Sequence, residues 1–156
     1  MKKTVISVEA VKRKLEQYCI YQDRCHKEIE KILSEYNLIK EAKDAILLHL
    51  LEHNFLNEER FACSFARGKF RIKKWGKVRI TRELKMRDIS SYIIKKALQE
   101  IDEKDYKITA YQIANKKFES IKEEDKYKKK KKLIDFLNYR GYESSFIFQI
   151  VNDITG

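Results

Sequence analysis

Between Arg67 and Arg87 the chain reads RGKFRIKKWGKVRITRELKMR, ten lysines or arginines against a single acid, Glu83. That is a net +9 of the +11 carried by all 156 residues, which leaves +2 for the other 135. Phe70, Ile72 and Trp75 are interleaved with the cations, and Gly68 and Gly76 bracket the densest part. Long cationic side chains at this density attract a polyanion by releasing its counterions, whatever its sequence, and rings set between them can stack on bases. A solvated helix face is also charged, but it mixes signs. A ten-to-one bias points instead to nucleic-acid phosphates, or to acidic surface on a DNA-bound partner. The residues best placed for that contact are Lys69, Arg71, Lys73, Lys74, Lys77, Arg79 and Arg82. Trp75 reads either as a ring that stacks on a base or as an anchor for the stretch. The anchor is preferred, because a stacking platform usually offers several rings.

Two other patterns could carry chemistry. Lys128, Lys129, Lys130, Lys131 and Lys132 form a second basic run directly after Glu123, Glu124 and Asp125. Lysine runs are most often solvated, so this one is expected to give at most an unspecific electrostatic assist. His49-Leu-Leu-Glu52-His53 has the H-x-x-E-H spacing in which two histidines one turn apart hold zinc and the glutamate acts as base. It lies in the most apolar helix, and any third ligand would have to come from the charged run at Glu123 or Glu124. The pattern is therefore read as structural, with His53 at a helix C-terminus where an imidazolium is favourable. No glycine-rich phosphate loop is present. The expectation is a non-enzymatic chain with no catalytic residues, no metal and no cofactor.

The elements that must position these residues are helical. There is no proline, only four glycines, and 43% of residues are apolar, enough for a core without the punctuation that strand folds require. Ser7 can cap a first helix ending near Tyr21, and Asp23 a second, with Asn37 as a left-handed residue after it. AILLHLLEHN is apolar almost all round and predicts a helix packed on more than one side, closed by Asn54. Asn57 starts the next, Phe61, Ala62, Phe65 and Ala66 form its buried face, and Gly68 stops it. The basic link follows, then a helix from about Val78 to Arg87; a hairpin around KKWG is the other reading of that segment. Ser90, then Asp102 or Asp105, cap two more helices. Residues 119 to 132 make a solvated helix end, a loop and the first turns of a helix that Gly141 closes. The last helix starts after Ser144 or Ser145. Cys19, Cys25 and Cys63 have no zinc-type spacing and read as reduced, partly buried thiols. The start, MKKTVISVEAVKRKL, lacks the apolar run of a signal sequence, and no window approaches a membrane span. A cytoplasmic chain with no membrane contact is expected.

Three sets of apolar residues repeat: Ile29, Leu33, Leu38; Ile80, Leu84, Ile89; Leu133, Leu137, Tyr142, at offsets of 51 and 53. Each has steps of four and five and is preceded by a helix with small or aromatic residues in pairs. The pattern predicts an all-α, elongated array of three tandem three-helix units, residues 1–54, 55–102 and 103–156, each burying its open face on the next.

The residues then resemble the RecX family, bacterial regulators of the RecA recombinase. The likeness rests on Arg24 with Glu28-Ile29, on Asn-Glu-Glu-Arg-Phe-Ala at 57 to 62, on Gly76-x-x-Arg79-Ile80-x-x-Glu83-Leu84 with Ile89, and on the repeated helices. It spans nearly the whole chain. Lys77 stands where a proline often follows the glycine, Asp88 where a glycine is common before Ile89, and Asn57 where an acid is common. The resemblance implies a regulatory protein of DNA repair, recombination and the SOS response. Such a protein lies as a monomer in the groove of the RecA filament on single-stranded DNA and inhibits recombinase activity. It also implies weak, salt-dependent affinity for free single-stranded DNA, extending to double-stranded DNA. A general nucleic-acid-binding helical protein without a recombinase partner is the alternative.

Overall fold

The structure is a computed structural model that describes residues 7–156; the first six residues of the stretch read above for a leader lie outside the described residues. Among the described residues there are nine helices: α1 Val8–Tyr21, α2 His26–Leu33, α3 Lys40–Glu52, α4 Glu58–Lys73, α5 Lys77–Met86, α6 Ser91–Leu98, α7 Glu103–Ser120, α8 Lys126–Arg140 and α9 Ser144–Thr155. None is long and apolar enough to cross a membrane. They form an array of three-helix units. Side-chain oxygens satisfy the orphan N–H groups at several starts: Ser7 accepts from Ala10, Asn57 from Arg60, Ser90 from Ile93, Asp102 from Asp105, and Asp125 from Tyr127 and Lys128.

Two apolar cores result. Val11, Leu15, Ile29, Leu33, Ile46 and Leu50 close the first, from α1 to α3. The second is continuous from α4 to α9, with Ile80, Leu84, Leu133 and Leu137 fully buried within it. The first unit is tied to the second by Cys25, whose side chain belongs to the second core, and by polar clamps. Arg60 donates from Nε to Asp23 at 2.6 Å and from its terminal nitrogen to the carbonyls of Asn54 and Phe55, while Glu58 accepts from the His26 N–H at 3.3 Å. Arg24, only 8% exposed, lies 3.4 Å over the Tyr18 ring, donates to the Tyr18 carbonyl and pairs with Glu28. The Arg24-Glu28 and Asn-Glu-Glu-Arg patterns are thus joints between elements.

Several local expectations are corrected. Gly68 does not stop α4, which continues to Lys73. A helical glycine costs only about 1 kcal/mol relative to alanine, and Phe70, one turn past Ala66, offsets it by packing on Tyr106 at 5.8 Å. The basic stretch is therefore mostly helix, and the hairpin reading fails with it. Only residues 74–76 lie between α4 and α5. Cys25, not Asp23, caps α2, with Glu28 reaching back to its N–H. Asp23 is held by Arg60 instead. Glu143, ahead of Ser144, is the N-cap of α9. The α3 helix buries only Ile46 and Leu50 and leaves Leu48 54% exposed, so it packs on one side. Asn37 is not left-handed; the chain after α2 turns through successive short bonds from Glu35 to Ile32 and Tyr36 to Leu33.

Among the described residues, the left-handed ones are Asn54, Lys74, Asp88 and Gly141. Asp88 and Gly141 stand 53 positions apart, and after each the next N–H bonds back five residues, Ile89 to Leu84 and Tyr142 to Leu137. This is the Schellman end of a helix, and it drops Ile89 and Tyr142 into the core.

Candidate nucleic-acid interface

The turn between α4 and α5 is fixed against the end of α8. Gly76 N–H donates to the Arg140 carbonyl at 2.7 Å and Val78 N–H to the Gly141 carbonyl at 2.9 Å. Tyr142 Oη donates to the Lys74 carbonyl at 2.9 Å, and Arg140 to the Lys73 carbonyl at 2.7 Å. Arg79 donates to the Tyr139 carbonyl at 3.0 Å. Behind the turn, Tyr106 Oη donates to Glu143 and accepts from the Lys77 N–H. Burial and the Glu143 carboxylate push the Tyr106 phenol well above its ordinary range, so it stays a donor.

On this support cations and rings alternate. The Arg87 guanidinium lies 4.8 Å over Phe65, and the Lys69 ammonium 5.4 Å from Phe65 and 5.1 Å from Trp75. Arg79 follows, 4.2 Å over Trp75 and 4.7 Å over Tyr139. The row runs Arg87, Phe65, Lys69, Trp75, Arg79, Tyr139, from α4 and α5 onto α8. Each contact is worth about 0.5–1 kcal/mol where exposed. Together they splay flexible side chains into fixed positions. Trp75 packs against the core with Phe65 at its edge and these cations against it, contacts that suit an anchor. Tyr139 is 70% exposed and is the ring of the row most open to solvent.

The seven cations singled out in the sequence do not share one surface. Lys69 and Arg79 are in the row, and exposed Lys73 lies beside it with Lys69, Phe65 and Ile72 along a groove of about 250 Å³. Arg71 on another face of α4 and Lys74 just past its end lie across a groove from Glu100, Asp102 and Asp105. Lys77 pairs with Glu103 and covers the Tyr106 ring at 4.7 Å, so it is a joint rather than a free arm. Arg82 is exposed on α5, about 60–140° around the helix from Arg79, Glu83 and Arg87 at 100° per residue. The basic link expected between Gly68 and Val78 is thereby corrected: it is mostly helix, and helix geometry divides its charges among faces.

The second run is partly engaged. Lys131 pairs with Asp135 at 3.3 Å, Lys132 with Glu123 at 3.5 Å, and Lys129 lies 4.0 Å over Phe118; Lys128 and Lys130 have no carboxylate partner among the described residues. His49 is committed to Glu16 at 2.8 Å, and His53 is the C-cap of α3. No group of three or more His, Cys, Asp or Glu that could hold a metal occurs among the described residues.

Arg87, Tyr139 and Arg140 were missed. Tyr139 and Arg140 lie far along the chain from the basic stretch, and no local pattern links them to it. The repeat offset held the signal, since Arg87 and Arg140 precede the equivalent left-handed residues Asp88 and Gly141.

Family models described as the second and third three-helix domains of RecX match residues 57–98 and 105–151. Regulatory protein RecX of Clostridium perfringens strain SM101 is 31% identical over 134 residues, 85% of this chain and 62% of that protein. The matched stretch thus spans less than two thirds of that relative's length. Regulatory protein RecX of Chlorobium phaeobacteroides strain BS1 is 32% identical over 133 residues, 85% of both proteins. A crystal structure of RecX from Lactobacillus salivarius has the same fold, with a TM-score of 0.82 at 20% identity over 94% of this chain and 96% of that one. The row of cations and rings is built from α4, the turn after it, α5 with its C-cap and α8, inside the two matched domains, and the chain belongs to the RecX family.

Proposed function

We propose that this chain binds the RecA filament on single-stranded DNA and restrains its growth and ATP-driven activity, without catalysis of its own. Membership in a family of regulatory proteins supports a regulatory role. The observation that carries the DNA part is the row from Arg87 to Tyr139, in which Lys69 and Arg79, with Lys73 beside them, have no carboxylate partner among the described residues. Such cations attract phosphates without reading bases, and Tyr139 adds a ring open to stacking. Units of residues 1–54, 55–102 and 103–156 divide this surface between the second and third. The chain acts as a monomer in the cytoplasm, where its three free thiols stay reduced.

The test is titration of the protein into RecA hydrolysing ATP on circular single-stranded DNA. Hydrolysis and strand exchange fall as the protein is added. Unchanged hydrolysis at every ratio, with salt-sensitive binding to free DNA retained, would leave a nucleic-acid-binding protein without a recombinase partner.

A further inference from the structure

Arg82 points to a second surface. The α5 face that carries Val78, Arg82 and Lys85 opens onto a shallow groove of about 760 Å³ between α5, the end of α6 and the start of α9, and no residue of the row of cations and rings lines it. Its floor is apolar: Val78 is 45% and Met86 62% exposed, and Leu98 of α6 completes it. Methionine is unbranched and polarizable and adapts to whatever side chain is laid on it. Along the rim Arg82 and Lys85 are three residues apart, one helical turn, and neither has a carboxylate partner among the described residues. The groove's own acid is engaged, because Glu143 accepts from Tyr106, and Lys77 at the same end is held by Glu103. Two unanswered positive charges therefore stand over an exposed apolar floor.

We propose that this groove docks an acidic segment of a partner protein, one that presents two carboxylates a helical turn apart and a large apolar side chain beside them. The carboxylates answer Arg82 and Lys85, and the apolar side chain covers Val78, Met86 and Leu98. A nucleic-acid backbone would satisfy the rim and leave the floor in water, which is why charge complementarity and apolar area together favour a peptide. The site is separate from the DNA surface and stands whether or not the partner is a recombinase.

Anisotropy of a fluorescein-labelled peptide of Glu and Asp around a central Phe-Leu pair, titrated with the full chain, tests this. Saturable binding is expected. It weakens by about tenfold or more in Arg82→Glu/Lys85→Glu and for a peptide with Ser-Ser in place of Phe-Leu, and it persists under saturating oligo-dT. The double variant keeps wild-type helix content by circular dichroism and single-stranded DNA affinity within about threefold. No saturable binding, equal binding by the double variant, equal binding of the Ser-Ser peptide, or displacement by oligo-dT each overturns the proposal, the last by making the groove part of the nucleic-acid surface.

Discussion

Gly76 and Gly141 lie back to back: a Cβ on Gly76 would sit 2.3 Å from the Gly141 carbonyl oxygen, and a Cβ on Gly141 would sit 2.2 Å from the Cβ of Arg79. Two helix ends from different units meet here with no side chain between them, and the contact sets where Arg79 and Tyr139 fall. The α4–α5 turn gains its backbone partners from Arg140 and Gly141 only because both positions are bare.

Substitution at the three internal glycines therefore has opposite signs. Gly141→Ala meets backbone at a φ of 92° and is expected to cost about 3 kcal/mol or more. Gly76→Ala costs about 1–3 kcal/mol through the close approach alone. Gly68→Ala has open space within 4 Å and sits inside α4, so it should stabilise by about 0.5–1 kcal/mol. Urea midpoints rank the three, and a destabilised Gly68→Ala would contradict the helical course of α4.

Salt dependence separates the faces of the basic stretch. Each phosphate contact on a single strand contributes a slope near −0.7 in log K against log salt. Lys69→Ala/Lys73→Ala should reduce the slope by about 1.4 on oligo-dT, whereas Arg82→Ala should leave it nearly unchanged. Equal reductions would show that the charges act as one diffuse patch.

Trp75 and Tyr139 should differ in kind. Tyr139→Ala removes an exposed ring and is expected to weaken single-stranded DNA binding by about 1–3 kcal/mol with an unchanged melting temperature. Trp75→Ala removes the ring between Lys69 and Arg79 and should lower the melting temperature as well. Thermal melts of both variants, read beside oligo-dT titrations, check this. A Trp75 variant that melts like wild type but loses DNA affinity would make Trp75 the platform.

The fully buried Cys25 thiol is pushed by burial from its ordinary 9.0 up to about 11. Because the folded state favours the neutral thiol, the stability this contributes is complete below pH 9 and is lost as pH rises through 11. The urea midpoint of the wild type should fall over that window more steeply than that of Cys25→Ser, which keeps a donor to Glu28 and does not titrate. Parallel curves would show that the thiol is not the group responsible.

Much of this fold was legible in local pattern. Ser7, Asn57, Ser90, Asp102 and Gly141 ended or began helices as their chemistry dictates, and the repeated Ile80, Leu84, Ile89 and Leu133, Leu137, Tyr142 are all buried. Asp88 shows what the resemblance alone could not say: at φ 59° it takes the backbone conformation a glycine adopts freely. The candidate surface was less legible, for a geometric reason. A run of cations is one feature in sequence, but α4 and α5 rotate successive residues by about 100°. Lys69 and Lys73 consequently part from Arg71, and Arg82 from Arg87. Lys77 is removed from the set by Glu103, and Arg79 is placed by Tyr139, partners far along the chain that no local window contains. Helix α3 misled because an apolar sequence signals burial only where another element covers it, and Leu48 and Leu51 are left exposed.

In the proposed function the Lys69-to-Tyr139 surface brings the chain onto the recombinase filament. The most direct measurement is RecA-dependent ATP hydrolysis on circular single-stranded DNA, titrated with wild type and with Lys69→Glu/Lys73→Glu. Wild type is expected to suppress hydrolysis, and the variant, with wild-type helix content, to need about tenfold more protein for the same effect. Equal suppression by both proteins, or none by either, would contradict it.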